Sequence, residues 1–488
     1  MASINPTLAT TANYRGTDRL ILGIVLAVVT FWLFAQTTLN IAPAMQEDLG
    51  ISYDLNNLAV SITALFSGIF IVVAGGLADR LGRVKLTYIG LLLSVIGSIL
   101  IVVSPSGTAV FLLAGRILQG LSAACIMPAT LALMKAYYEG KERQRALSFW
   151  SIGSWGGSGL SALFGGLIAS TMGWRWIFIL SILVAVISYL LIRGTPESKS
   201  TDTVEKAFDW AGLIAFIIAM LAINIVIGQG ASLGWLSPAV LAGIAIFVIS
   251  TIIFLRIEKR SENGFVDLSL FSNQTFSGAT LSNFLLNGAA GTLLVSLALV
   301  QAEAGLSSLQ SGLVTIGYLV AVLSTIRVGE KLLQRLGPRK PMLMGCAITG
   351  LGIVLTSLTF LMAGQYIIAA FIGFTLFGIG LGFYATPSTD AALSNVPGDK
   401  AGSASGIYKM ASSLGAAFGV AISAAIFYGL SDMEGLPPMA DLFMGRTDNV
   451  DVRFAAGMGL LFNVFMIVVA IVAIMITIPK GKPTEVIE

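Results

Sequence analysis

The chain has 488 residues, of which 56% are hydrophobic and 11% charged, with a formal net charge of +3 and a mean hydropathy of +0.89. Roughly a quarter of the residues of a soluble protein are charged, so this composition excludes a water-soluble globular protein of this length. The sequence predicts an integral membrane protein. Its small positive net charge is interpreted as a signal of membrane topology and not as a nucleic-acid-binding surface.

The apolar residues form fourteen long segments separated by short polar breaks. Such a segment predicts a transmembrane helix, because about 20 residues cross the hydrocarbon core. The expected fold class is therefore an all-α polytopic membrane protein. The predicted spans are, in chain order, 20–42, 56–78, 86–104, 108–134, 146–169, 174–193, 209–229, 236–256, 275–299, 309–328, 341–362, 366–391, 404–429 and 455–478.

The ends and connections of the chain predict its topology. Residues 1–19 are polar, and the first apolar segment follows without a clear cleavage site, which predicts an uncleaved helix rather than a signal peptide. Most of the 28 Lys and Arg residues fall in connections that lie on one side of the membrane. The positive-inside rule then places both termini, including the tail 479–488, in the cytoplasm.

The residue types that are rare or missing limit the possible chemistry. The sequence has no histidine, so any proton carrier has to be a carboxylate. Cys125 and Cys346 each lie inside an apolar segment and are interpreted as buried free thiols. We expect neither a metal nor a cofactor.

The connection between the second and third spans, Ala78–Lys85, concentrates charge in a very short turn. Basic residues there resist translocation, but Asp79 opposes that signal and therefore predicts a second role. We expect it to face helix N-termini or arginines of adjoining loops in one conformer and to release them in the other. The predicted conformational switch consists of Gly75, Asp79, Arg80, Gly82, Arg83 and Lys85, with Arg335 and Gly337 in a second copy of the motif.

Two internal repeats divide the chain. "GGLADRLGRVK" returns as "GEKLLQRLGPRK" at an offset of 255, with Gln334 in place of Asp79. Small residues at every fourth position of the fifth span (Gly153, Gly157, Ser161, Gly165) return in the thirteenth at an offset of 258. Such ladders allow close helix packing; one alone arises by chance, but a shared offset favours a repeat.

The repeat predicts a domain organisation with two similar halves. We expect a six-helix bundle over 20–194, linkers over 195–274 with two inserted helices at 209–256, and a second six-helix bundle over 275–478. Parallel repeats of this kind are a transporter architecture, in which the substrate binds near mid-membrane between the halves.

These motifs resemble those of the major facilitator superfamily. "GGLADRLGRVK" resembles its loop between helices two and three, "LLAGRILQGLSAA" its fourth-helix motif and "GWRWIF" the start of its sixth helix. Two inserted helices are typical of the fourteen-helix drug:proton antiporters, and the chain is similar to quinolone and multidrug exporters of Gram-positive bacteria. The resemblance implies the major facilitator fold, a multi-pass protein of the bacterial cell membrane, and proton-driven drug export by alternating access.

The sequence departs from that family in two places. The central Gly-Pro of the fifth-helix antiporter motif is Ser161-Ala162, and the first-helix aspartate of many relatives is Ala35 or Gln36 here. The missing acid weakens the case for export of quaternary ammonium compounds. It favours zwitterionic or bulky amphipathic drugs.

Charges inside predicted spans are costly and usually functional. The resemblance implies that Arg116 couples proton and substrate movement; binding to backbone carbonyls is the structural alternative. Lys409 either snorkels to the interface or pairs with Asp390, and Glu303 and Asp48 at outer span ends either attract cations or are merely solvated. The proton-coupling candidates are therefore Arg116, Asp390, Lys409, Glu303 and Asp48.

Aromatic and amide residues in the spans are candidates for a substrate cavity, because large apolar walls with few amides suit amphipathic drugs of varied shape. Each of them is as apt to face lipid or to pack between helices. The candidates are Phe31, Trp32, Gln36, Asn40, Phe66, Trp150, Trp155, Asn283, Asn287, Tyr384, Tyr408 and Met410.

The sequence has no G-x-x-x-x-G-K-[ST] phosphate loop and no soluble domain large enough for an ATPase, so an ion gradient has to drive transport. We expect a proton-coupled, monomeric exporter whose partners are small-molecule drugs, protons and the lipid bilayer. The alternative within the family is a carrier for a single metabolite or peptide. A membrane enzyme or sensor needs a catalytic cluster or an output domain, and the sequence shows neither.

Overall fold

A computed structural model describes residues 14–200, 209–260, 268–304, 313–431 and 450–481. The regular secondary structure in these ranges is helical, with no strand, as expected where the backbone has to satisfy its own hydrogen bonds in lipid. The α-helices are Asp18–Val29 (α1), Thr38–Leu49 (α2), Tyr53–Leu81 (α3), Arg83–Val102 (α4), Val110–Tyr137 (α5), Gly140–Ser151 (α6), Gly157–Thr171 (α7), Arg175–Ile192 (α8), Trp210–Leu233 (α9), Pro238–Arg260 (α10), Gln274–Gly288 (α11), Gly291–Ala304 (α12), Ile316–Leu336 (α13), Arg339–Thr356 (α14), Ala363–Ser394 (α15), Ala401–Ser431 (α16) and Val450–Thr477 (α17).

Eleven helical segments among the described residues are long and apolar enough to cross a membrane. The all-helical membrane fold predicted from the sequence is thereby confirmed. The predicted spans at 146–169, 309–328 and 341–362 lie on helices outside these eleven, and residues 309–312 lie outside the described ranges. The count of fourteen spans stays a prediction.

The first and fifth predicted spans are each interrupted by a π-helical turn, at Thr30–Ala35 and Ile152–Gly156. These two turns contact each other, and the first also packs against α7. A π-helical turn inserts an extra residue into a helix and leaves backbone groups outside the regular ladder, which is why such turns are frequent at functional sites.

Contacts between Cα atoms divide the chain into two compact units. Unit 1 comprises Met1–Ala222, Ile246–Ser272 and Leu393–Met410. Unit 2 comprises Ile223–Ala245, Asn273–Ala392 and Ala411–Glu488. The first residues of α16 therefore belong to unit 1, and the bundle boundaries predicted from the repeat stay a prediction.

Each unit has its own apolar core. In unit 1 side chains of α1, α2, α4, α5 and α8 meet around residues such as Met45, Leu112 and Phe178. In unit 2 side chains of α12, α15, α16 and α17 meet around residues such as Phe374 and Leu460.

Candidate functional site

Asp79, at the end of α3, binds the start of α16. Its side chain is only 3% exposed. Asp79 Oδ1 accepts the Gly402 N–H at 2.8 Å, and Oδ2 accepts the Ser403 N–H at 2.8 Å and the Ser403 hydroxyl at 3.2 Å. The carboxylate thus satisfies the first free N–H groups of α16 and lies at the positive end of its dipole. This is the contact that the sequence led us to expect; its role as a switch stays a prediction.

Arg83 completes this cluster from the first turn of α4. Its Nη2 donates to Asp79 Oδ1 at 2.9 Å and to the Gly398 carbonyl at 2.5 Å, and its Nη1 donates to Ser198 Oγ at 3.0 Å. The Arg83 side chain is as deeply buried as that of Asp79. We name the group Asp79, Arg83, Gly402 and Ser403 the junction cluster.

Glycine allows the backbones at the junction cluster to come together. A Cβ on Gly75 would lie 2.5 Å from the Gly402 carbonyl oxygen, so only glycine permits this approach of α3 to α16. Gly82 is the single residue between α3 and α4, and its φ of 114° is in the region that favours glycine. The other predicted members lie at the rim, where Arg80 is half-buried and Lys85 exposed.

The second copy of the motif keeps the turn but not this cluster. Gly337, with a φ of 75°, joins α13 to α14. Gln334 donates to Glu330 at 3.1 Å, and Glu330 also pairs with Arg327. Arg335 is exposed.

Sequence reasoning missed two groups of residues that reach the same region. Lys135, at the end of α5, donates to the carbonyls of Leu393 and Val396, and Arg143 donates to Ser394 Oγ at 2.8 Å. These are cations at the C-terminal end of α15, where a helix dipole favours them. The sequence could have indicated the first of these contacts, because Lys135 is a basic residue at the end of a predicted span.

The second missed group is the segment Thr195–Ser200, which follows α8 and which we name the strap. The N–H groups of Val84 and Lys85 donate to the two carboxylate oxygens of Glu197, each at 2.9 Å. The sequence could have indicated this contact. Gly82 precedes α4 and has no side chain to cap it, so the first N–H groups of α4 need an acceptor from another segment.

Arg116, in α5, is fully buried and bound by neutral oxygens. Its Nε donates to the Ala59 carbonyl at 2.8 Å, and its Nη1 donates to the Ala35 carbonyl at 2.9 Å and to Gln119 Oε1 at 2.7 Å. A weaker contact of 3.4 Å joins Nη2 to the Val60 carbonyl. Ala35 ends the first π-helical turn, so this arginine ties that turn to α3 and α5.

Lys409, in α16, is 8% exposed, and its Nζ lies 4.5 Å from the centre of the Trp150 ring. Trp150 is itself held by a 3.0 Å hydrogen bond from its Nε1 to Thr130 Oγ1. A ring in this position stabilises the ammonium form of the buried lysine.

The other coupling candidates have different surroundings. Asp48 pairs with Arg175 and accepts a 3.3 Å hydrogen bond from Trp174 Nε1. Its role in proton coupling stays a prediction. Asp390 is buried, with 1% exposure. The Glu303 side chain lies outside the described part of the chain.

The cavity candidates fall in both units. In unit 1 Trp32 packs edge-on against Phe31 and its buried Nε1 has no hydrogen-bond partner among the described residues. In unit 2 Asn287 donates to Asn283 Oδ1 at 2.9 Å. The remaining candidates are buried or half-buried, except Asn40, whose side chain lies outside the description: Gln36, Phe66, Trp150, Trp155, Tyr384, Tyr408 and Met410.

The small-residue ladders lie against neighbouring helices. Added methyl groups on Gly157 and Gly165 would meet Trp32 and Thr37, and Thr37 Oγ1 donates to the Ser161 carbonyl at 3.1 Å. Gly153 lies similarly against α1. The fifth predicted span is thereby packed closely against the first.

An apolar groove of about 710 Å³ lies between α16 and α17 in unit 2. Residues such as Ile426, Met458 and Phe462 line it, and none of the cavity candidates does. A groove so apolar resembles the lipid-facing surface of membrane helices more than a drug site with polar groups for orientation.

Similarity to known proteins defines the class of this chain. The family model for the Major Facilitator Superfamily matches residues 20–420. The chain belongs to this superfamily, and with its apolar helices it is a multi-pass membrane protein.

Particular relatives are more specific. Two proteins named Quinolone resistance protein NorB, from Staphylococcus aureus strains MRSA252 and JH9, are 50% identical to this chain over 473 and 472 residues. The matches cover 97% of this chain and 98% of each relative. This similarity indicates that the protein lies in a bacterial cell membrane.

Solved structures with this fold are more distant in sequence. The proton:xylose symporter XylE, bound to 6-bromo-6-deoxy-D-glucose, is 15% identical with a TM-score of 0.64, over 96% of this chain and 97% of XylE. The human organic anion transporter MFSD10 is 14% identical with a TM-score of 0.59, over 95% of this chain and all of that protein. At these identities the likeness shows the fold alone.

Proposed function

We propose that this chain is a proton-coupled multidrug efflux antiporter that exports amphipathic drugs such as quinolones, dyes and antiseptics by alternating access. The observation that carries the proposal is the 50% identity to a quinolone resistance protein. The matched region extends over 97% of the chain and therefore includes all of the proposed spans.

The proposed topology has fourteen spans, two six-helix bundles at 20–194 and 275–478, and both termini in the cytoplasm. The distribution of Lys and Arg supports this orientation, which places the turn at Gly82 on the cytoplasmic side. We propose a monomer, in which one chain supplies the whole transport path.

The junction cluster acts as a cytoplasmic switch in this proposal. A buried carboxylate that binds two N–H groups and a guanidinium stabilises one conformer, and separation of α16 from α3 exposes all these groups to water. Because water then takes the place of the lost partners, the net difference stays small enough for substrate and protons to reverse it.

Protons supply the energy. One charge that moves through 100 mV releases about 2.3 kcal/mol, and this sustains a drug gradient of roughly fifty-fold at tenfold per 1.4 kcal/mol. Asp390 is the proposed proton site on α15, because its carboxylate is buried, with 1% exposure. Arg116 and Lys409 respond to that proton as buried cations, and Asp48 and Glu303 supply protons at the outer side.

The substrate cavity is proposed to use aromatic walls with few polar groups. Trp32 supports this, since its buried Nε1 has no partner in the described protein and is free to donate to a drug oxygen. A carrier for one metabolite or peptide is the alternative, and the likeness to a xylose symporter bears on the fold only.

The test is transport by the purified chain in proteoliposomes with an imposed pH gradient. We expect ethidium and a fluorinated quinolone both to be moved, with proton release on drug addition, and a protonophore to abolish the movement. In the same assay Asp79→Asn tests the junction cluster and should largely stop transport. Gln334→Ala is its control, because it alters the repeat-related position in the second copy of the motif. Transport of a single compound class without proton exchange would contradict the proposal.

A further inference from the structure

The start of α4 depends on a side chain from far along the chain. Gly82 provides no capping group, so the first N–H groups of α4 need another acceptor. Glu197 supplies it, with Val84 N–H bound to one carboxylate oxygen and Lys85 N–H to the other, at 2.9 Å each. A side chain on Gly82 would overlap this carboxylate.

The same segment holds both charged residues of the junction cluster. The Ser198 carbonyl accepts the Arg83 N–H at 2.9 Å, and Ser198 Oγ accepts Arg83 Nη1 at 3.0 Å. The Ser200 N–H donates to the Asp79 carbonyl at 2.8 Å. The strap therefore binds the backbone of the turn on both sides of Gly82 and one arm of the guanidinium.

Another contact holds the strap in place. The Tyr137 hydroxyl, at the end of α5, donates to the Pro196 carbonyl at 2.5 Å. The strap thus joins the end of α5 to the turn between α3 and α4. These contacts involve elements of unit 1 alone and none of the residues of α16.

We propose that Glu197 is a positioning residue of the switch. It keeps the start of α4, and with it Arg83, in the geometry that receives α16, whether or not α16 is bound. Gly398, Gly402 and Ser403 are the partners that leave when the switch opens, whereas Glu197 and Ser198 stay. The strap lowers the entropic cost of closing, because Arg83 does not have to be ordered again in each cycle. This inference rests on the proposed switch role of the junction cluster.

The strap also begins the connection from α8 to α9, the first inserted helix. Glu197 itself is exposed, so its role is held by hydrogen bonds to the backbone and not by burial.

The test compares Glu197→Ala and Glu197→Gln with the parent in two measurements. One is the rate of drug export per molecule in proteoliposomes. The other is the distance distribution between spin labels at Lys141 and Pro397, which are both exposed, after alanine replaces Cys125 and Cys346. Glu142→Gln is the control, because it removes an exposed acid from the start of α6.

We expect Glu197→Ala to lower the maximal rate about fivefold to tenfold, the factor by which loss of an N-cap shifts an equilibrium, with the drug KM unchanged. The long-distance population of the labels should grow by a similar factor. Glu197→Gln keeps one acceptor oxygen and should recover part of both effects. Glu142→Gln should match the parent.

A parent-like rate and label distribution in Glu197→Ala would overturn the inference, as would a smaller amount of folded protein with a normal rate per molecule. If Asp79→Asn also leaves the distribution unchanged, the switch proposal fails and the strap role fails with it. If the parent moves no drug, multidrug export fails, and the label distances alone then decide the role of Glu197.

Discussion

Replacement of Asp79 with asparagine removes the charge at the junction cluster and keeps the side-chain size. In the parent the two carboxylate oxygens accept from the Gly402 and Ser403 N–H groups and from Arg83. An amide has one acceptor oxygen, so its NH2 group has to face a donor. Arg83, which is 3% exposed, also loses its counter-charge.

The size of the effect follows from these contacts. A hydrogen bond to a charged group contributes about 1.5–3 kcal/mol, and a carboxylate at a helix N-terminus adds about 0.3–1 kcal/mol. The loss of two such bonds therefore destabilises the closed junction by about 3 kcal/mol or more. At tenfold per 1.4 kcal/mol, this shifts the conformational equilibrium by roughly a hundredfold.

We expect Asp79→Asn to reach the membrane in normal amounts but largely to stop transport. The shifted equilibrium leaves too little of the closed conformer for the transport cycle to proceed. Ethidium efflux from intact cells, normalised to the protein in isolated membranes, measures this. Asp79→Glu should fail as well, since the aspartate carboxylate already bonds the Gly402 N–H at 2.8 Å and a side chain longer by one methylene would have to move α16 away. Efflux at the parent rate in Asp79→Asn would refute the reasoning.

Three further substitutions test other parts of the structure. Arg116→Lys keeps the charge but loses the guanidinium group that joins carbonyls of α3 and the first π-helical turn. We expect an efflux rate at least tenfold lower at normal expression. An unchanged rate would contradict a coupling role. Gly415→Leu places a side chain against the Phe284 backbone, and we expect little folded protein on size exclusion, whereas the half-exposed Ala417→Leu is tolerated. Asp390→Asn should reduce proton-driven exchange more than drug binding, and a pH profile identical to that of the parent would exclude it as the proton site.

Local patterns predicted the parts of the structure that depend on short sequence distances. The helical segments follow from apolar length, because each helix satisfies its own backbone in lipid. The turn at Gly82 follows from glycine between two apolar runs, and its positive φ bears this out. The contact of Asp79 with a helix N-terminus was predicted because the other charges of this turn are basic and set the membrane topology. An acid there opposes that signal and therefore indicates a different role.

Long-range partners were beyond the sequence. Asp79 contacts Gly402 across 323 residues, and nothing in either segment specifies the other. Glu197 was overlooked because an acid in a polar connection is usually solvated. The π-helical turns also escaped prediction, since the insertion of one residue leaves the apolar pattern of a span almost unchanged.

The two copies of the charged-turn motif separate what the fold needs from what the switch needs. Both keep a glycine with positive φ, at Gly82 and Gly337, because α3–α4 and α13–α14 each reverse direction within one or two residues. The charged partners differ, since Gln334 and Pro338 occupy the positions of Asp79 and Arg83. In the second copy Gln334 bonds to Glu330 of its own helix. The turn geometry is therefore a structural requirement of both halves, whereas the carboxylate–guanidinium pair is present once, and loss of that one pair cannot be compensated by its repeat.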